Sequence, residues 1–378
     1  MLFDKDYLAH PGISQSEITL FERDIRGYYN QKILGVQREE TTSDPMDIGN
    51  IVDAKLLQPE MLKNYYVVTD MKATGRLKDI IDLFVDYIKA EKDSVFPEWP
   101  ADMPVLKAKE KLSVNYPWWI EKYEHVIFIL DKIILATEYQ PNWGAETRLI
   151  KVITLGKDYY TQLLECGDRI MVGLEQWNKA HSKVDAVAED EYTSRLFADL
   201  FDPSDPDITV HKQVPLYGSF EGVEIKGMLD FFIANKRTNT ITPWDLKTAG
   251  SHQRFSTNYR AKRYGRQGAV YSELLRQNFP GYTILPFSFL VIPIETDERP
   301  EVYEMDATEL YINENGHLAE NGYKTKGWKD IVRELQWHNK TGKWDHYKEY
   351  YAAGKNIINS RFIIEADLLQ VEEVKPLL

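Results

Sequence analysis

Apolar positions along the chain repeat first at a helical spacing and then, past residue 200, at a spacing of two. Ile18, Phe21 and Ile25 recur at helical intervals behind Ser14 and Ser16, either of which can cap the helix. The stretch DPMDIGNIVDAKLLQPE (44–60) predicts a loop that becomes a second helix containing Gly49 and Asp53. Leu77, Ile80, Ile81, Phe84, Val85 and Ile88 fit one apolar stripe of a helix. Helix-rich patterning continues to about residue 200 and includes DYYTQLLECGDRIMVGLEQWNKAH, whose apolar positions read as core. LFDPSDPDITV (200–210) is a Pro/Asp-rich connection.

The period of two then takes over. HKQVPLYGSFEGVEIKGMLDFFIA predicts two strands joined at SFEG, and NTITPWDLKT predicts a third strand after the turn NKRTN. A helix is expected from Asn258 to Arg276, followed by YTILPFSFLVIPIE as a strand pair or one long bent strand. From Trp328 the pattern is helical and rich in Trp and Tyr. The sum is an α/β protein with a central mixed sheet, flanking helices and a large helical insertion. The expected organisation is one domain over 1–378. It comprises N-terminal helices (1–70), the insertion (71–204), the sheet with its following helix (205–310) and a C-terminal helical region (311–378).

Composition adds limits. A chain of 378 residues with 43% hydrophobic content can bury a core in one large or two medium domains. No apolar run approaches bilayer-spanning length, and MLFDKDYLAHPG lacks the basic region and apolar stretch of a signal peptide. The lone cysteine, Cys166, excludes internal disulfides and a four-thiolate cluster. These features predict an intracellular, cytoplasmic protein with no membrane partner. The net charge of −13 argues against nonspecific coating of nucleic acid but not against a local basic groove. YRAKRYGRQ supplies Arg260, Lys262, Arg263 and Arg266 with no acid among them, although such a run is commonly a solvated helix face.

The chemistry concentrates in GMLDFFIANKRTNTITPWDLKTAG (227–250). Residues two apart in a strand share a face, so Asp245 and Lys247 point one way while Trp244 and Leu246 point the other. A hairpin can bring Asp230 beside Asp245, with Leu229 and Phe231 facing oppositely. Two such carboxylates repel unless a cation lies between them, and oxygen ligands suit a hard divalent ion, Mg²⁺ or Mn²⁺. A neighbouring lysine can orient or deprotonate a metal-bound water and counter phosphate charge, which is metal-assisted hydrolysis of a phosphodiester. Gly227 is consistent with close backbone approach. Arg260, Tyr264, Gln267 and Tyr271, spaced four, three and four, would share one helix face able to hold phosphate, stack and orient. An isolated D-x-K is weak, and a surface hairpin with a salt bridge is its ordinary alternative.

These residues resemble the PD-(D/E)XK nucleases, in the RecB-type branch that includes phage and prophage recombination exonucleases. That branch orders G-x-x-x-H on an early helix, G-x-x-D, D-x-K and Q-x-x-x-Y. Here Gly227-Met228-Leu229-Asp230, Asp245-Leu246-Lys247 and Gln267-Gly268-Ala269-Val270-Tyr271 match the last three. GISQSEITLFERDIRGYY resembles the family's start. In GNIVDAKLLQPE, Gly49 is in place and Asp53 stands in the histidine slot. The resemblance covers parts of 10–60 and most of 210–280. It implies a restriction-endonuclease-like sheet and two divalent ions, Mg²⁺ or Mn²⁺. Asp230, Asp245 and the Leu246 carbonyl would be ligands, with Asp53 a candidate fourth, and Lys247 the catalytic lysine. Gln267, Tyr271, Tyr264, Arg260 and Arg263 become support or DNA-contact residues. DNA is the implied substrate, acted on in phage or prophage recombination or replication, and a single-strand annealing or recombination protein is the implied partner. Family members often form rings, which leaves a homo-oligomer open, although no heptad or interface stripe encodes one here.

Two alternatives stay open: a DNA-binding or scaffolding protein of this fold without the chemistry, and a structure-specific endonuclease. Other motifs add little. His10, His211 and His252 lack metal-like spacing, Cys166 reads as core, and KTGKWD lacks the leading glycine of a P-loop. The Trp/Tyr-rich end reads as packing ahead of base stacking.

Overall fold

The computed structural model describes residues 5–36, 44–69, 75–91, 97, 117–167, 169–318 and 324–355. The longer elements in chain order are α1 (Gln15–Arg23), α2 (Asp44–Leu57), β1 (Tyr66–Thr69), α3 (Gly75–Ala90), α4 (Glu124–Ala136), α5 (Ala145–Cys166), β2 (Ile170–Gly173), α6 (Leu174–Glu189), α7 (Ser194–Phe201), β3 (Ile208–Phe220), β4 (Val223–Asn235), β5 (Thr240–Ala249), α8 (His252–Ala261), α9 (Tyr264–Asn278), β6 (Ser288–Pro293), β7 (Glu301–Glu304), α10 (Ala307–Asn315) and α11 (Trp328–Thr341). They form two units, Met1–Glu60 with Asn178–Leu378, and Met61–Trp177. The insertion thus begins and ends earlier than the helical pattern implies. Residues past 178 join the sheet unit through polar ties, among them Lys183 Nζ to the Thr296 carbonyl at 2.6 Å. Residues 92–96, 98–116 and 356–378 of the expected insertion and C-terminal region lie outside the described residues.

The sheet unit grows from a tight hairpin. Phe220 pairs with Val223, leaving Glu221 and Gly222 as the turn, with φ of 49° and 83°. Two-residue turns with positive φ match the right-handed twist of the strands they join. β4 then pairs antiparallel with β5, and β5 pairs parallel with β6 after a crossover through α8 and α9. β7 closes the order β3-β4-β5-β6-β7 in antiparallel fashion. The chain is therefore a mixed α/β protein with a central mixed sheet, and its three central strands lie where the period-two pattern puts them. YTILPFSFLVIPIE resolves into a two-residue strand, Thr283–Ile284, and β6, both parallel to β5.

Apolar residues of the sheet, Leu229, Phe232 and Phe289 among them, share one core with Ile18 and Phe21 of α1, Val270 and Leu274 of α9, and Trp328 and Ile331 of α11. Ser14 caps α1 through a capping box with Glu17. In the second unit, Ile80, Ile81, Phe84, Val85 and Ile88 of α3 pack with Leu130 and Ile134 of α4 and Val152, Ile153 and Tyr160 of α5. Its short parallel pair β1–β2 was not legible in the helical patterning of that region. No described helix is long and apolar enough to cross a membrane.

Candidate active site

All the site residues named from sequence fall in the sheet unit. Alternation along β5 puts Asp245 and Lys247 on one face, where the Lys247 Nζ lies 2.5 Å from Asp245 Oδ2. Trp244 faces the other way and stacks on Phe231 of β4, with centroids 5.7 Å apart and rings 5° from parallel. The β4–β5 ladder runs from Asn235/Thr240 to Phe231/Trp244 and stops there. One step further, Asp230 stands opposite Asp245, and its Oδ2 accepts the Leu246 N–H at 2.7 Å. On its other side Asp230 faces Gln213 of β3. That pair is missing from an otherwise continuous register, and Gln213 has a φ of 50°. Asp230 therefore sits at a local break in the sheet on both sides, and its carboxylate takes up a backbone donor that the ladder leaves free.

Helix α9 supplies the next layer. Gln267 Nε2 donates to Asp245 Oδ1 at 2.7 Å. The Tyr264 ring lies under Lys247, 4.7 Å from Nζ to centroid. Tyr271 packs edge-on to Gly227, where a Cβ would lie 2.6 Å from its ring. The close approach expected of Gly227 is thus a contact with the motif tyrosine. Gly49 plays the same part for α2, since a Cβ there would lie 2.5 Å from Thr248 Oγ1. This seats α2 on β5 and brings Asp53, one turn on, into the electrostatic range of Lys247, Asp245 and Asp230.

Asp245 is 1% exposed, and burial is the largest influence on all three carboxyls. It pushes Asp53 up to about 7 against the pull of Lys247. It raises Asp230 well above the usual range, with Asp245 and Asp53 adding to the effect. Asp245 is raised as well, less freely because Lys247 opposes the shift. Burial works against the Lys247 ammonium, yet Asp245 and Asp230 hold its pKa above that of free lysine. Asp53 Oδ1 is buried without a hydrogen-bond partner, and Asp245 Oδ2 is buried with the Lys247 ammonium as its neighbour. As the side chains stand, no three Asp, Glu, His or Cys among the described residues converge on a common point that would hold an ion.

The helix expected over 258–276 is two helices. Arg263 adopts a left-handed backbone, with φ 58°, between Ala261 and Tyr264. Tyr264, Gln267 and Tyr271 share the face of α9 turned to the sheet, but Arg260 belongs to α8 and is exposed. The basic run is also less free than its composition implies. Arg266 is 2% exposed and donates to Glu22 Oε2 at 2.7 Å, and Arg263 Nε lies 3.4 Å from the same oxygen. Glu22 lies more than two hundred residues away in sequence, so the run's own composition could not reveal it. Arg260 and Lys262 are the exposed cations of the run.

The remaining candidates take structural places. His10 Nδ1 accepts the Gly12 N–H at 3.0 Å, His211 stacks on Phe232 at 4.6 Å, and His252 bonds the Arg299 carbonyl at 2.8 Å. The Cys166 thiol is buried and donates to the Arg169 carbonyl at 2.8 Å. Trp328 is fully buried and Trp344 packs against Tyr28. Sequence reasoning passed over Glu22 and Gln213. Neither has a local signal, because each acts through a distant neighbour.

No family model and no curated protein sequence matches the chain. Among solved structures it is similar to the crystal structure of a protein from Eubacterium rectale provisionally described as an exonuclease, with a TM-score of 0.43 and 14% identity over 95% of this chain and 96% of that one.

Proposed function

We propose that this chain is a divalent-cation-dependent deoxyribonuclease of the PD-(D/E)XK kind, acting on the ends of duplex DNA. The observation that carries the reading is the gathering of Asp230, Asp245 and Lys247 at the break between β4 and β5. Gln267 and Tyr264 of α9 contact two of them, and Asp53 of α2 adds a further, half-buried carboxyl. Structural salt bridges seldom gather several carboxyls, one fully buried and two half-buried, around one lysine, because desolvation and mutual repulsion make that costly.

The donors suit a hard ion in kind. They are carboxylate oxygens; Asp53 Oδ1 is buried without a hydrogen bond, while Asp245 Oδ2 has the Lys247 ammonium as its neighbour. The side chains would have to turn to converge on it. Asp230, Asp245, Asp53 and the Leu246 carbonyl would hold Mg²⁺ or Mn²⁺, two ions on the family pattern. Bound there, such ions lower the pKa of water and offset charge on the phosphate. The chain's own contributions are more definite. Gln267 fixes the Asp245 carboxylate, and the Leu246 N–H fixes that of Asp230. Lys247 presents a charged ammonium that can orient a water and counter the scissile phosphate. Exonuclease action, a place in phage or prophage recombination or replication, and a single-strand annealing partner rest on the order of the motifs.

The test is purified protein with Mg²⁺, Mn²⁺ or chelator on end-labelled linear duplex and on covalently closed circles. Metal-dependent loss of linear DNA with intact circles is expected, and nicked circles would indicate an endonuclease. Asp230→Asn, Asp245→Asn and Lys247→Ala should each abolish cleavage with unchanged circular dichroism. Asp53→Ala should need more Mg²⁺, and Asp53→His should recover better with Mn²⁺. Near-normal cleavage by Lys247→Ala ends the mechanism. A folded wild type that binds DNA but never cuts it leaves the non-catalytic alternative.

A further inference from the structure

The break between α8 and α9 is held from outside. Arg263 occupies a left-handed conformation that residues with a side chain avoid. Its carbonyl accepts the Gln267 N–H at 3.2 Å, the start of α9, and also the Gln15 side-chain amide at 3.4 Å. Its guanidinium lies 3.4 Å from Glu22 Oε2, the oxygen that accepts from Arg266 at 2.7 Å. Gln15, Thr19 and Glu22 recur at four and three residues on α1 and so share one face. Thr19 Oγ1 takes donors from both Gln15 and Arg266. This seam is polar where simple helix packing would be apolar. Buried ion pairs add little net stability over apolar packing, and their best-attested use is to fix one arrangement. The arrangement fixed here is the first turn of α9, which places the Tyr264 ring under Lys247 and Gln267 on Asp245.

We propose that Glu22 is a positioning residue: by holding Arg263 and Arg266 it fixes the left-handed break and, through it, the placement of Tyr264 and Gln267 on Lys247 and Asp245. The inference rests on the reading of Lys247 and Asp245 as the reacting centre, but its first readout does not need cleavage. The Lys247 ε-methylene protons, close to the Tyr264 ring, should resonate upfield of free lysine. The signal is assigned in a ¹³C-lysine spectrum by its loss in Lys247→Arg.

In folded Glu22→Gln this signal should move downfield. Cleavage should fall in kcat by roughly tenfold or more, with KM for DNA little changed, as for misplacement of a reacting group. Arg263→Gly added to Glu22→Gln, which lets the break form without the guanidinium, should return both towards wild type. An unmoved Lys247 signal in folded Glu22→Gln overturns the proposal, as does a double variant no better than the single one. If Glu22→Gln does not fold, Gln15→Met, which removes the amide that bonds both the Arg263 carbonyl and Thr19 Oγ1 of the same seam, should shift the same signal in the same direction, and no shift overturns it. A wild type that does not cleave would defeat the nuclease reading and leave the signal to decide the positioning.

Discussion

Replacing Gly227 by alanine tests how tightly β4 and α9 are fitted at the site. A Cβ at this position would lie 2.6 and 2.8 Å from Tyr271 Cε1 and Cδ1, and 3.1 Å from Leu274 Cδ1. Carbon atoms pack at about 3.5–4.0 Å, so the ring would have to retreat by roughly an ångström. Tyr271 is 7% exposed and Leu274 1%, which leaves little room for that retreat. Overpacking of this kind costs about 1–3 kcal/mol. The entropy that alanine removes from the unfolded chain offsets only about 0.4–1 kcal/mol. For a unit of this size the net loss should lower Tm by roughly 2–4 °C per kcal/mol. Urea unfolding should show a lower midpoint at unchanged slope. Gly281→Ala is the control, because a Cβ there meets nothing within 4 Å. Tyr271→Leu in the Gly227→Ala background should recover part of the loss, giving a coupling energy above about 0.5 kcal/mol. Gly227→Ala within about 0.5 kcal/mol of wild type, or no more costly than Gly281→Ala, would refute the close approach.

Gln213→Gly should be neutral or stabilising and Gln213→Val destabilising, their unfolding free energies differing by about 1–2 kcal/mol, since the left-handed backbone at φ 50° suits glycine and opposes a β-branched residue. Arg260→Ala with Lys262→Ala should weaken DNA binding and reduce its salt slope by about one unit per lost phosphate contact, whereas Arg263→Ala, paired to Glu22, should change the slope less; salt-dependent titrations on duplex DNA decide it. Burial opposes the Glu17 carboxylate, but Lys32 and the Ser14 N–H outweigh it and lower its pKa. Its contribution is therefore present above pH 4.5 and lost as pH falls through the folded value, so the stability gap between wild type and Glu17→Gln should close below pH 4.5 in acid titrations of the unfolding midpoint.

The sequence by itself determined the strands that place Asp245 and Lys247. Alternation in β4 and β5 needs only local sterics, so the shared face of Asp245 and Lys247 could be read before any fold was known. The same holds for the turn at Glu221 and Gly222, the caps of α1, and the apolar stripe of α3, each set by neighbours a few residues away. The tertiary structure alone decided what depends on distant partners. Glu22 reaches Arg263 and Arg266 across the fold and ties half of a free-looking basic run into a partly buried seam. Gln213 and Asp230 meet at a break that period-two patterning smooths over. The helix expected over 258–276 is divided at Arg263, because a left-handed residue without glycine leaves no mark in composition and is held by contacts from α1. The upward pKa shifts of Asp53, Asp230 and Asp245 likewise follow from burial, with repulsion from neighbouring carboxylates added at Asp53 and Asp230, and these are properties of the packed fold.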